Sequence, residues 1–286
     1  MDQYFDGAFA IVKGIRDTQI GHIATAMEKA YELRRNGGRI FSQVVCGHYA
    51  NWAGAKGVPG QPWVLPQSRP RPLKEQFDAM TKGDFLLTNR AEPDTKGLRE
   101  RGVYVVGLTS NYYRNAKTPP GLFDPSWSQL SIEELSNMVI DSHIPWYNGL
   151  VHAPHIPRFN ICPGTGISQF AVYWACTASL ASLMGSQGKG SSTEPAMKYL
   201  DLTLDRFLMV GSDRPKIDRI AKKMADLVLE RHARFWVYGK PYAVEGYGSG
   251  NMFASDADSA ASGSMIAKTL VPGKTEVRAD DIVLIG

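Results

Sequence analysis

Cysteine is scarce in this chain: Cys46, Cys162 and Cys176 are the only three, far apart and without Cys-x-x-Cys or Cys/His ligand spacing. That pattern argues against a structural zinc site and reads as core thiols in a reducing compartment, so a cytoplasmic location is expected. No run of Lys and Arg is present, and the net charge of +4 is the small difference between 32 basic and 28 acidic residues. Nucleic acid is therefore not an expected partner. The first residues, MDQYFDGAFAIVKGIRD, lack a basic stretch followed by a continuous apolar one, so no signal peptide is expected. Long apolar runs are missing too. The most apolar window, Ile167 to Met184, is interrupted by Ser168, Gln169, Thr177, Ser179 and Ser182. It barely reaches the ~18–20 residues of a membrane span and reads as a helix buried on most faces. Tyr247-Gly248-Ser249-Gly250-Asn251 is glycine-rich after a strand but is not Gly-x-Gly-x-x-Gly, so neither a dinucleotide nor any other cofactor is expected.

What is present is material for an α/β core: 286 residues, 43% of them hydrophobic, enough for one large domain or two smaller ones. The segment Gly83–Ser110 organises the rest. Phe85-Leu86-Leu87 and Val103-Tyr104-Val105-Val106 read as buried parallel strands. The charged stretch Asp94–Arg101 between them, closed by Gly102, predicts a crossover helix capped by Asp94 or Thr95. Ligands of open parallel sheets bind at strand C-termini. That rule points to Thr88-Asn89-Arg90 and Thr109-Ser110-Asn111.

Around this unit the pattern predicts a helix over 18–35, a strand over 39–45 and a short helix over 73–80. It also predicts a Ser131-x-x-Glu134 capping box opening another helix, a strand over 138–141, and the buried helix 167–184. Segment 54–72 is too rich in proline and glycine for regular structure. Residues 186–194 read as a linker between a domain over 1–185 and a partial second unit over 195–286. Ile217, Ile220, Met224, Leu227 and Val228 repeat the spacing of Ile20, Ile23, Met27, Ala30 and Tyr31, each 197 positions on. RFWVY at 234–238 stands where RIFSQ stood, and Asp281-Ile282-Val283-Leu284 where Asp84-Phe85-Leu86-Leu87 stood. A duplication whose second copy stops after two strands is expected, and with it a dimer or higher homo-oligomer.

The order of these pieces, above all Gly83–Asn89, Gly102–Ser110 and Asn137–Pro145, resembles the sugar isomerase (SIS) domain family over about 15–185 and more weakly over 213–286. The resemblance implies a three-layer αβα sandwich with a parallel sheet, and a sugar or sugar phosphate bound at strand C-termini. Its members are isomerases, lyases or non-catalytic sensory modules. Family members carry Ser-x-Ser-Gly-x-Thr after the second strand. Here that place holds Thr88-Asn89-Arg90-Ala91-Glu92-Pro93-Asp94-Thr95, and Cys46-Gly47-His48 follows the first strand.

The expected binding residues are Thr88, Asn89, Arg90, Thr95, Thr109, Ser110, Asn111 and His143. An anion would take hydrogen bonds from a helix N-terminus and an arginine; the competing reading is that Thr95 only caps its helix. If the protein is an enzyme, His48 and Glu92 are the expected acid/base pair, since imidazole titrates near neutrality. No metal is expected, because His152 and His155 lie in a Pro-rich loop without helical register.

Overall fold

The computed structural model describes residues 2–44, 77–92, 95–110, 116–118, 130–145, 149–154, 160–238, 267–269 and 276–285. His48, Asn111, the 54–72 segment and Tyr247–Asn251 lie outside them. The chain divides into two units, the first running to Gly211 and the second from Ser212 onward.

The first unit opens with two helices where the pattern predicts one from Thr18. Helix α1 (Asp2–Thr18) buries Phe5, Ala8, Ile11, Val12 and Ile15 at helical spacing. Helix α2 (Ile20–Arg35) buries Ile23, Met27 and Ala30. It stops at Gly37, whose φ of +89° suits glycine. Strands β1 (Ile40–Gln43), β2 (Phe85–Thr88), β3 (Tyr104–Leu108) and β4 (Met138–Ile140) form a parallel sheet in that order. Strand β2 is buried along its whole length. Phe85 and Leu87 face the core shared with α2, while Leu86 faces Phe77, Met80, Leu98, Val103 and Val105. The sheet is thus covered on both sides, as an all-parallel sheet requires.

The crossover between β2 and β3 is not the helix expected over 94–101: residues 96–102 form consecutive turns. Gly97 and Gly102 both take positive φ, +82° and +84°, which interrupts helical dihedrals only two residues after Thr95. Leu98 N–H reaches Thr95 O in a three-residue turn instead. The capping box does form: Ser131 Oγ accepts from Glu133 N–H at 3.2 Å, and the Glu134 carboxylate accepts from Ser131 N–H, opening α3 (Ile132–Leu135). A hairpin of β5 (Gly149–Val151) and β6 (Ile161–Pro163) follows. Helix α4 (Thr165–Gly185) is long and apolar enough by composition to cross a membrane. Val172, Ala175, Cys176 and Leu180 nevertheless belong to the main core. Helix α5 (Glu194–Ser212) adds Ala196 and Leu200 to the same core, so it stays with the first unit. The division at Gly211 therefore lies one helix beyond the linker expected at 186–194.

The second unit holds α6 (Arg214–Arg231) and the parallel strands β7 (Phe235–Tyr238), β8 (Ala267–Thr269) and β9 (Ile282–Ile285), in the order β8-β7-β9. Its α6, β7 and β9 repeat α2, β1 and β2 down to a side-chain clamp, while β8 is a third strand beyond the two expected. In the first unit Arg39 donates to Asp84 from its backbone N–H at 2.8 Å and from Nη2 at 2.6 Å, and Thr81 N–H adds a bond of 2.8 Å. In the second, Arg234 donates to Asp281 at 3.1 Å and 2.7 Å, and Arg278 N–H adds one of 2.9 Å. Both guanidinium groups also lie over an aromatic ring two residues along the strand, Phe41 and Trp236. Asp84 and Asp281 are 3% and 2% exposed, so each strand pair starts on a buried, fully bonded carboxylate.

Those bonds set an acid limit. Burial raises the Asp84 carboxyl, but Arg39 and the backbone N–H groups outweigh it and hold it below its ordinary value. Arg234 first, with Arg278 and Trp236, holds Asp281 lower still. A carboxyl depressed in the folded state stabilises the fold above its unfolded value of about 4 and loses that contribution as pH falls through the folded value. Thermal unfolding followed by circular dichroism is expected to shift downward as pH drops below about 4. Carrying the Asp84→Asn and Asp281→Asn changes together should flatten the shift, and a slope unchanged by both would discount the clamps.

Candidate functional site

Three adjacent strands end in buried polar residues, and a single helix residue ties the first two exits together. Thr88 closes β2; its hydroxyl donates to Gln43 O at 3.2 Å and accepts from Arg90 N–H at 3.1 Å. Asn89 Nδ2 donates to Gln169 Oε1 at 3.3 Å, and Gln169 Nε2 donates to Thr109 O at 2.9 Å. Gln169 is fully buried in α4, so both halves of its amide are spent linking the β2 exit to the β3 exit. From Thr109 the network continues to β4. The Thr109 hydroxyl donates to Asp141 Oδ1 and accepts from Ser142 N–H, both at 2.9 Å, while Ser142 Oγ donates to Thr109 O at 2.6 Å. Ser110 is buried beside them.

Asp141 anchors the far end. It pairs with Lys117, and its carboxylate also accepts from His143 N–H at 3.0 Å. Its own N–H donates to Gln19 Oε1 at 2.9 Å. Burial raises its carboxyl, but Lys117, His143 N–H and the Thr109 hydroxyl together hold it below the usual carboxylate range. Asp141 is thus held at the β4 exit by three donors, Lys117, His143 N–H and the Thr109 hydroxyl.

The remaining expected residues divide. Arg90 pairs through Nη2 with Glu92, the carboxylate expected as a base. Arg90 Nε is buried and has no hydrogen-bond partner among the described residues. The Thr95 hydroxyl donates to Glu92 O at 2.7 Å and accepts from Glu92 N–H at 3.1 Å, closing a turn. Among the described residues no α-helix starts at Thr95, so the α-helix N-terminus expected to favour an anion is not seen there. His143 adopts φ +55°, and its ring leans on Gly14, where an added Cβ would sit 2.8 Å from Nδ1. Its Nε2 lies 2.7 Å from Thr18 Oγ1, so the imidazole is held against α1. Among the described residues no three His, Cys, Asp or Glu side chains stand close enough to share a metal ion.

Gln169, Asp141, Ser142, Gln19 and Lys117 complete this arrangement without having been singled out from the sequence. The signal for Gln169 was available: an amide inside a buried apolar helix must find partners.

No protein-family model matches the chain, and no curated protein sequence matches it. Solved structures do. A candidate sugar-binding protein from Salmonella typhimurium LT2 superposes with a TM-score of 0.54 at 11% identity, over 99% of this chain and 79% of that one. A candidate phosphosugar isomerase from Clostridium difficile 630 does so with a TM-score of 0.55 at 9% identity, over 99% and 73%. Likeness at this level of identity concerns the fold: the chain has an SIS-like α/β fold, a parallel sheet between helical layers with a partial second copy of its opening elements.

Proposed function

We propose that the protein binds a sugar or sugar phosphate at the C-terminal ends of β2, β3 and β4. The binding residues would be Thr88, Asn89, Arg90, Thr109, Ser110 and Asn111, with Thr95 and His143 beside them. The observation that carries the reading is Arg90 Nε, a buried cationic donor with no partner among the described residues, beside the polar exits of the sheet. Open parallel sheets bind ligands at this edge, and the superposed structures described as sugar-binding and phosphosugar isomerase proteins support the ligand class.

Binding without turnover is the better-supported form. Glu92, the carboxylate that would shuttle a proton, is engaged by Arg90 in this structure, so its lone pairs are not presented to a substrate until that pair opens. In the catalytic alternative a phosphate drawn to Arg90 would release Glu92, and His48 would supply the second titrating group.

Calorimetric titration with a panel of hexose and pentose phosphates tests the reading. Arg90→Ala is expected to weaken a bound sugar phosphate by about tenfold or more, the scale of one charge-assisted hydrogen bond, while affecting the unphosphorylated sugar less. Equal affinities in wild type and variant would remove Arg90 from the site, and no binding across the panel would remove the proposal. Following aldose–ketose interconversion in wild type, His48→Ala and Glu92→Gln separates the two forms: turnover lost with binding kept would establish the catalytic one.

A further inference from the structure

The exits of β2 and β4, the outer two of the three strands, each carry a cation held by a carboxylate. At β2 it is Arg90, paired with Glu92 and only 12% exposed. At β4 it is Lys117, paired with Asp141 and 53% exposed. Lys117 reaches that place from the connection between β3 and β4, where Ala116 N–H donates to Glu133 Oε1 at 2.8 Å. Two carboxylates, one on α3 and one just past β4, thus hold neighbouring positions of the connection and keep the ammonium beside the sheet. Asp141 divides its oxygens: Oδ1 accepts from the Thr109 hydroxyl at 2.9 Å and from His143 N–H at 3.0 Å, while Oδ2 takes Lys117. Lys117 therefore adjoins Thr109, one of the expected binding residues, across a single carboxylate. The β3 and β4 exits are joined independently of it, since Ser142 N–H and Oγ bond Thr109 at 2.9 Å and 2.6 Å.

Strands β2 and β4 are separated by β3, two strand spacings or about 10 Å. A six-carbon sugar chain carrying a phosphate at one end has about that length, so a ligand whose phosphate lies at Arg90 brings its far end to β4. A hydroxyl there would compete poorly for an ammonium that already faces a carboxylate. An oxyanion can share it, because an ammonium carries three N–H donors and hydrogen bonds between charged groups are the strong ones. Arginine suits the phosphate end, where its planar fork meets two oxygens at once, and lysine suits the other as a point charge. We propose, resting on the binding reading above, that the ligand is anionic at both ends, its phosphate at Arg90 and a carboxylate or second phosphate at Lys117. Lys117 then sets the preference for such sugars over simple monophosphates.

Calorimetric titration of the full chain with glucose 6-phosphate, 6-phosphogluconate and fructose 1,6-bisphosphate tests this. The two sugars charged at both ends are expected to bind about tenfold tighter than the monophosphate, the scale of one charge-assisted hydrogen bond. Lys117→Met should abolish that preference, whereas Lys117→Arg, which keeps the charge, should retain most of it. Arg90→Ala should weaken all three. Equal wild-type affinities for the three sugars, each weakened by Arg90→Ala, would overturn the inference and leave the binding reading in place. A preference that survives Lys117→Met would overturn it too, as would a loss equal for all three ligands, which would assign Lys117 to the frame of the β4 exit. Binding of monophosphates but of neither doubly charged sugar would likewise overturn it, and no binding at all would remove the reading on which it rests.

Discussion

Replacing Asp84 by alanine is expected to destabilise the first unit by about 4 kcal/mol, the sum of several lost hydrogen bonds at one buried acceptor. The carboxylate accepts from Arg39 N–H, Arg39 Nε, Arg39 Nη2 and Thr81 N–H, and it joins the entrances of β1 and β2, which are 45 residues apart in sequence. Alanine takes this acceptor from all four donors, of which Arg39 Nη2 still has Ala79 O, and water must enter a site that is 3% exposed. Asp84→Asn should cost nearly as much, because its amide can offer only one oxygen and turns an N–H group toward other donors. Arg39→Lys should cost less: a lysine keeps the charge and the backbone bond but loses the two-pronged geometry, and Arg39 is half exposed. Asp281→Ala should do to β7 and β9 what Asp84→Ala does to β1 and β2. Hydrogen exchange of the full chain separates the two. The first change should speed exchange in 40–43 and 85–88, the second in 235–238 and 282–285. If either substitution left exchange in its own strand pair unchanged, the paired clamps would be decoration on the strands and not what joins them.

These clamps mark where sequence pattern stops being informative. The entry Gly83-Asp84 and the matching Asp281 were visible as repeated letters, and the strands they introduce were legible because short apolar runs bounded by glycine and charge have few other uses. The partnership of Asp84 with Arg39 was not, since nothing local to either residue names a partner 45 positions away. Helix α1 shows a different loss. Phe5, Ala8, Ile11, Val12 and Ile15 carry its periodicity in full, but Gln19 separates it from α2 without proline or glycine to mark the break. The crossover over 94–101 failed for the opposite reason: its charges suit a helix, while Gly97 at φ +82° ends one before its first turn closes. At the candidate site, residues on the strands' own exits could be placed by the topology rule. Gln169 and Gln19 could not, because they arrive from α4 and from the joint between α1 and α2.

Gln169 carries the other large effect. Gln169→Leu keeps the side-chain volume close to that of the amide and removes its hydrogen bonds, leaving Asn89 Nδ2 without its amide acceptor and Thr109 O with one donor fewer. The interior is fully enclosed there, so the loss should be about 2 kcal/mol, from the two hydrogen bonds forfeited. Gln169→Glu separates the two halves of the amide. A carboxylate still accepts from Asn89 but cannot donate to Thr109 O, and its burial penalises the charged form, so its stability defect should grow as pH rises through its titration. In the wild type the exits of β2 and β3 are held at one separation by this residue. Its loss should therefore weaken sugar-phosphate binding beyond what the unfolded fraction explains. The measurement is calorimetric titration well below the variant's unfolding temperature, beside hydrogen exchange at 89–92 and 109–110. A Gln169→Leu protein with wild-type stability would show that Asn89 and Thr109 find other partners; one that is less stable yet binds unchanged would place the ligand away from these two exits.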